Sequence, residues 1–171
     1  MRRGPAFWVA CFLGSGLAPV APGTVGSLAA LAAGMALLAL DPVLLPLGAV
    51  LATFGGLWAI HAVQPPGDRD WGDPGWVVID EVAGQWIAML PLALLPGAAV
   101  WNPPSLVLAF VAFRALDILK PGPIGWADRQ AGAAGIMADD VIAGVLAAGI
   151  VCAAQLWLPA WFAMPPAAIF N

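Results

Sequence analysis

The strongest constraint in this chain is a series of apolar runs, each close to the length of a bilayer crossing and each stopped by proline or glycine. A hydrocarbon layer about 30 Å thick asks for roughly 20 predominantly apolar residues per helix. Five runs approach that length: Val25–Leu40, stopped by Asp41-Pro42; Val43–Val63, stopped by Gln64-Pro65-Pro66-Gly67; Trp76–Leu95, stopped by Pro96-Gly97; Pro104–Leu119, closed by Pro121; and Ile136–Leu158, before Pro159. The first and fourth are short, so incomplete crossing is expected there. Residues 6–13 add an apolar stretch too short to span, expected to be interfacial or re-entrant. Composition agrees: 62% of the 171 residues are hydrophobic and 9% charged, with mean hydropathy +0.92. A soluble domain would carry roughly 25% charged residues. The expected fold is an all-α integral membrane protein of about five apolar helices, some short. Residues 1–171 are expected to form one membrane-embedded domain, with no internal repeat.

Charge placement orients these runs. With residues 1–24 on one side, five crossings gather Arg2, Arg3, Arg69, Lys120 and Arg129 on one face, with Arg114 near the same end of the fourth run. The positive-inside rule makes that face cytoplasmic. Asp68, Asp70, Asp73, Asp80, Glu81, Asp117, Asp128, Asp139 and Asp140 fall there too, and Asp41 alone lies opposite. A net charge of −4 excludes nucleic acid as a partner, since that needs a basic footprint. Cys11 and Cys152 lie far apart in apolar sequence and read as buried thiols, without metal or redox spacing. Arg2-Arg3 before an apolar run resembles the start of a signal peptide. The Gly/Pro/Ser/Thr loop that interrupts the run makes it part of the mature protein.

Five segments carry possible chemistry. Asp80-Glu81 opens the third run, and Asp139-Asp140 opens the fifth, each with a glycine (Gly84, Gly144) four residues after one acid. Paired carboxylates beside hydrocarbon are expensive to keep ionised. The helix macrodipole accounts for one acid at a helix start more easily than for two. A divalent cation would compensate both, with the glycine leaving room for its close approach. Carboxylate oxygens suit Mg²⁺ rather than a soft metal, and zinc lacks ligands, because His61 is the only histidine and reads as a packed ring. Arg114, Asp117 and Lys120, spaced three apart, share a broad helix face. They read either as a boundary ion-pair set or as two phosphate-binding bases with an acid for the metal. Asp128-Arg129 could add a further contact. The loop Gly14 to Leu28 can offer backbone N–H groups and the hydroxyls of Thr24 and Ser27 to an anion, although it lacks the Gly-Lys-Ser/Thr of a Walker loop. A cation, bases and anion-binding backbone at one face are the equipment for phosphoryl transfer from an amphipathic substrate to water.

In order along the chain, Gly14-Ser15-Gly16, Ala21-Pro22-Gly23-Thr24, Gly26-Ser27-Leu28, Ile79-Asp80-Glu81 with Gly84, Phe113-Arg114 with Asp117, Lys120-Pro121, Asp128-Arg129, Gly135-Ile136-Met137, Asp139-Asp140 and Ala143-Gly144 resemble the phosphatidylglycerophosphatase A family. The resemblance runs from about residue 12 to 150. It implies a Mg²⁺-dependent enzyme of the bacterial inner membrane that converts the phospholipid phosphatidylglycerophosphate to phosphatidylglycerol. It also implies that Asp80, Glu81, Asp139 and Asp140 are the essential metal-binding and catalytic groups. The stretch Gln130 to Gly135 departs from the family pattern, having no basic residue and a shortened loop. The expected assignment gives Asp80, Glu81, Asp117, Asp139 and Asp140 to the metal, and Thr24, Ser27, Arg114, Lys120 and Arg129 to the substrate. The alternatives are a phosphatase of another lipid such as phosphatidic acid, a cation carrier using intramembrane carboxylates, and a non-catalytic assembly subunit.

Overall fold

Proline sets the start of most helices in this chain. In the computed structural model, which describes residues 4–68, 71–95 and 102–158, α1 (Pro5–Ala10), α2 (Pro22–Leu40), α5 (Leu90–Leu94), α6 (Pro103–Leu119) and α7 (Pro123–Asp128) all carry proline in their first two positions. There its missing N–H breaks no helical bond and its fixed φ suits the turn. The remaining elements are a 3₁₀ segment, Phe12–Leu17, and the helices α3 (Leu44–Val63), α4 (Ile79–Ala88) and α8 (Gly132–Trp157). Among the described residues every regular element is helical. Arg2, Arg3, Arg69 and Asp70, which entered the charge count, lie outside the described residues, as do residues 96–101 and the chain beyond 158.

Three helices are long and apolar enough to cross a membrane: α2, α3 and α8, with 19, 20 and 26 residues. Only 28, 33 and 44% of these spans is buried inside the protein, so much of each presents Leu, Val, Phe and Trp outward, as at Leu51, Phe54, Trp58 and Val145. An exposed apolar surface of this extent belongs against lipid. The first run, expected to be short, gains a turn at Pro22 and is full length. The third is divided. Its helix starts only at Ile79 and breaks at Met89, because Pro91 has no N–H to give the carbonyl one turn back. Residues 5–17 form a short helix and a 3₁₀ segment that turns at Leu13 and Gly14, both with positive φ. This segment is braced by Val78 N donating to Ala10 O at 2.9 Å and by Phe7 stacked on Trp76.

α4 sits at the centre, packed against α2, α3, α6 and α8. Trp86 wedges between α2 and α3, its indole N–H donating to Ala30 O at 2.8 Å. The crossing of α4 with α8 is made by glycine on glycine. A methyl added at Gly144 would meet Gly84 O at 2.5 Å and Gly84 Cα at 2.9 Å, and one added at Gly84 would strike Phe113 and Asp140 O. Small residues are what allow membrane helices to approach backbone to backbone. The space that these glycines leave is therefore filled by the neighbouring helix, not by an ion as the sequence suggested.

Candidate active site

The glycine crossing sets the geometry of the acids. Asp80 stands four residues before Gly84 on α4, Asp140 stands four before Gly144 on α8, and the two helices run in the same direction. Equal offsets from one contact point therefore bring Asp80 against Asp140. Ligand oxygens of Asp80, Glu81 and Asp140 lie within 4.8 Å of one another, and so do those of Asp117, Asp139 and Asp140. Asp140 belongs to both groups.

The two pairs enter the site differently. Asp80 and Glu81 are the second and third residues of α4, and Asp80 Oδ1 accepts the Glu81 N–H at 3.0 Å. Asp139 and Asp140 are the eighth and ninth residues of α8, about 12 Å along it at 1.5 Å per residue. They do not begin that helix, because α8 starts at Gly132 and not at Ile136. Its macrodipole fades within the first turn and does nothing for them. Asp80, Asp139 and Asp140 are 3, 6 and 3% exposed. A buried ion costs several kcal/mol, while the macrodipole returns at most about 1 kcal/mol at an ordinary helix start. Desolvation wins, and the cluster requires a cation or protons. Glu81 Oε2, Asp139 Oδ1 and Asp140 Oδ1 are buried without a hydrogen-bond partner.

Two bases approach. Arg114 on α6 holds Asp117 at 2.6 Å and donates to Ser27 Oγ at 3.3 Å, and its Nε is buried without a partner. Ser27 in turn donates to Gly23 O at 2.9 Å. Gly23, in the first turn of α2, lies so close to Glu81 Oε1 that a side chain there would collide with it, and the Arg114 guanidinium is next to it. Thr24 is half-buried in the same turn. The N-terminus of α2, Arg114 and Glu81 thus converge.

Lys120, expected on the same helix face as Arg114, is instead the cap of α6 in the left-handed conformation, φ 46°. Its ammonium contacts Asp139, lies 2.7 Å from Asp128 and 3.7 Å from Asp117. Burial works against its charge, but the hydrogen bonds to Asp128 and Asp139 outweigh it and hold the lysine above its ordinary range.

Arg129 is exposed at the end of α7, and no ion pair draws it into the cluster among the described residues. His61 is exposed on the last turn of α3, where the sequence suggested a packed ring. Cys11 is buried, whereas Cys152 is half-buried. Two residues were given no part in the site from the sequence. Asp73 has its carboxyl pushed up to about 6 by desolvation and by the charge of Asp139; one acid in an acidic loop gives no signal. Gln85, one turn beyond Glu81, is fully buried with neither amide atom partnered. Its signal was a lone amide inside an apolar run.

The arrangement has known relatives. A family model described as Phosphatidylglycerophosphatase A matches residues 8–155. A phosphatidylglycerophosphatase A of Escherichia coli strain K12 is 40% identical over 148 residues, covering 86% of this chain and 81% of that relative. One of Haemophilus influenzae strain Rd is 38% identical over 156 residues, covering 90% and 91%. A Bacteroides thetaiotaomicron protein named "Putative phosphatidylinositol-3-phosphatase" is 38% identical over 148 residues, covering 83% and 88%. No solved structure matches the chain.

Proposed function

The chain belongs to the phosphatidylglycerophosphatase A family and is a membrane-embedded phosphatase; on that premise we propose that it hydrolyses phosphatidylglycerophosphate to phosphatidylglycerol and phosphate, using Mg²⁺, at the cytoplasmic face of a bacterial inner membrane. The observation that carries this reading is the convergence of Asp80, Glu81 and Asp140 with Arg114 and the first turn of α2.

The donor set fits a hard divalent cation: three carboxylates, with buried oxygens of Glu81 and Asp140 lacking partners. Bound there, such an ion supplies charge neutralisation at the phosphoryl oxygens. Asp117 and Asp139 are within reach of Asp140. The chain's own groups do the rest. Arg114 is fixed by Asp117 and Ser27 through Nη1 with Nε unspent, so the Nε N–H remains to donate to a phosphoryl oxygen. The free N–H groups of Gly23 and Thr24, at the positive end of α2, suit a second. The oxygen of water ends on phosphorus, the ester P–O bond breaks, and the proton ends on the glycerol hydroxyl. The apolar surface of the spans suits a substrate whose acyl chains stay in the bilayer.

The test is phosphate release by the purified protein in detergent, with and without EDTA. Phosphatidylglycerophosphate is compared with phosphatidic acid and phosphatidylinositol 3-phosphate, the last because of the Bacteroides relative. Release that is fastest from phosphatidylglycerophosphate and abolished by EDTA is expected. Undiminished turnover in Asp80→Asn would remove the carboxylates from the mechanism.

A further inference from the structure

The two carboxylate groups that share Asp140 resemble a site for two cations. Their surroundings differ in one respect. Among the described residues, no lysine or arginine makes an ion pair with Asp80, Glu81 or Asp140, whereas Lys120 lies against Asp139 and within 3.7 Å of Asp117, two of the three members of the other group. We infer that the Lys120 ammonium takes the place of a second divalent ion, so that the site holds one cation, on Asp80, Glu81 and Asp140. This rests on the cation-dependent reading above and adds to it the number of ions and the reason for that number.

Three observations support it. An ammonium has three N–H donors and no acceptor, and Lys120 has three carboxylates around it: Asp117, Asp128 and Asp139. Charge balance is similar in the two halves. Asp117, Asp128 and Asp139 face Lys120 and Arg114, three negative charges against two positive. Asp80, Glu81 and Asp140 make no ion pair with a base among the described residues, so one divalent ion would leave the same remainder. Glu81 Oε2 and Asp140 Oδ1, the latter in a residue 97% buried, have no partner and are the atoms left for that ion. Backbone geometry agrees as well. Lys120 caps α6 at φ 46°, a conformation that disfavours side chains and that glycine would relieve. A lysine kept there is explained by what its ammonium does across on α8.

Mn²⁺ titration of the full-length protein in detergent, read by electron paramagnetic resonance, decides the matter without reference to turnover. The wild type is expected to take up one Mn²⁺ per chain with the spectrum of an isolated ion. Lys120→Met is expected to bind two, with spin coupling between them and the second at least tenfold tighter than any later event in the wild type. Asp128→Asn removes one anchor of Lys120 from outside both groups, and should reveal the second ion at higher Mn²⁺ even if Lys120→Met does not fold. Two coupled ions in the wild type would overturn the inference and leave the cation-dependent reading standing. So would a single ion in a folded Lys120→Met or in Asp128→Asn. Uptake of no Mn²⁺ by the wild type would remove both.

Discussion

The acid pair on α4 and the acid pair on α8 lie side by side but are held by different means. Asp80 and Glu81 sit in the first turn of their helix, opposite the N-terminus of α2, with no base in ion-pair range among the described residues. Asp139 and Asp140 lie two turns inside theirs and are divided: Asp139 turns to Lys120, and Asp140 joins Asp80 and Glu81. Adjacent residues of one type can thus serve different partners, because side chains 100° apart on a helix face different neighbours. The α4 pair acts as a unit. The α8 pair does not.

Substitution tests that division most directly. Asp140→Asn removes the carboxylate common to both groups, and phosphate release is expected to fall about a thousandfold, the scale seen when a preorganised electrostatic contact is lost. Asp139→Asn leaves Asp80, Glu81 and Asp140 intact and frees Lys120, so a loss of about 10- to 100-fold is expected. Initial rates at saturating Mg²⁺ measure both, and equal losses would erase the distinction between the two acids of α8.

The contact that joins the pairs comes next in size. Gly144→Ala places a methyl 2.5 Å from Gly84 O. Overpacking costs about 1–3 kcal/mol, so a lower Tm and weaker Mg²⁺ binding are expected together, by thermal melts with and without the ion. A lower Tm at unchanged affinity would separate the crossing from the site.

A smaller effect concerns Asp73, above the site. Its folded-state carboxyl holds a proton up to about pH 6, against an ordinary value of 3.8. A raised acid favours the folded state while protonated, and that contribution fades as pH climbs from about 4 through 6. Ion-free protein is therefore expected to melt at a lower temperature at pH 7 than at pH 5, with Asp73→Asn reducing the difference.

Much of this was legible along the chain, for physical reasons. Apolar runs with proline and glycine stops report spans directly, and α2, α3 and α8 follow them. The third run reads as unbroken because its hydropathy is continuous, whereas Pro91, late in that run, breaks the helix at Met89. The start of α8 was hidden, because Gly132, Ala133 and Ala134 carry little hydropathic contrast, and with it went the depth of Asp139. The equal four-residue offsets of Gly84 and Gly144 were visible, but their use depends on which helix lies opposite. Lys120 was also out of reach. Its i, i+3 spacing implied the α6 face, and only the left-handed cap turns it toward α8.

The glycine crossing has a consequence for how this protein can change over generations. In most cores a residue that grows can be accommodated by a neighbour that shrinks, and drift proceeds through such exchanges. Gly84 and Gly144 are already the smallest residues; Gly144 faces the backbone of Gly84, and Gly84 faces the backbone carbonyl of Asp140 beside the Phe113 ring. Neither has anything to give up, so no compensating exchange exists at this point. Lineages that keep the site are expected to hold both positions fixed while the lipid-facing residues around them vary freely.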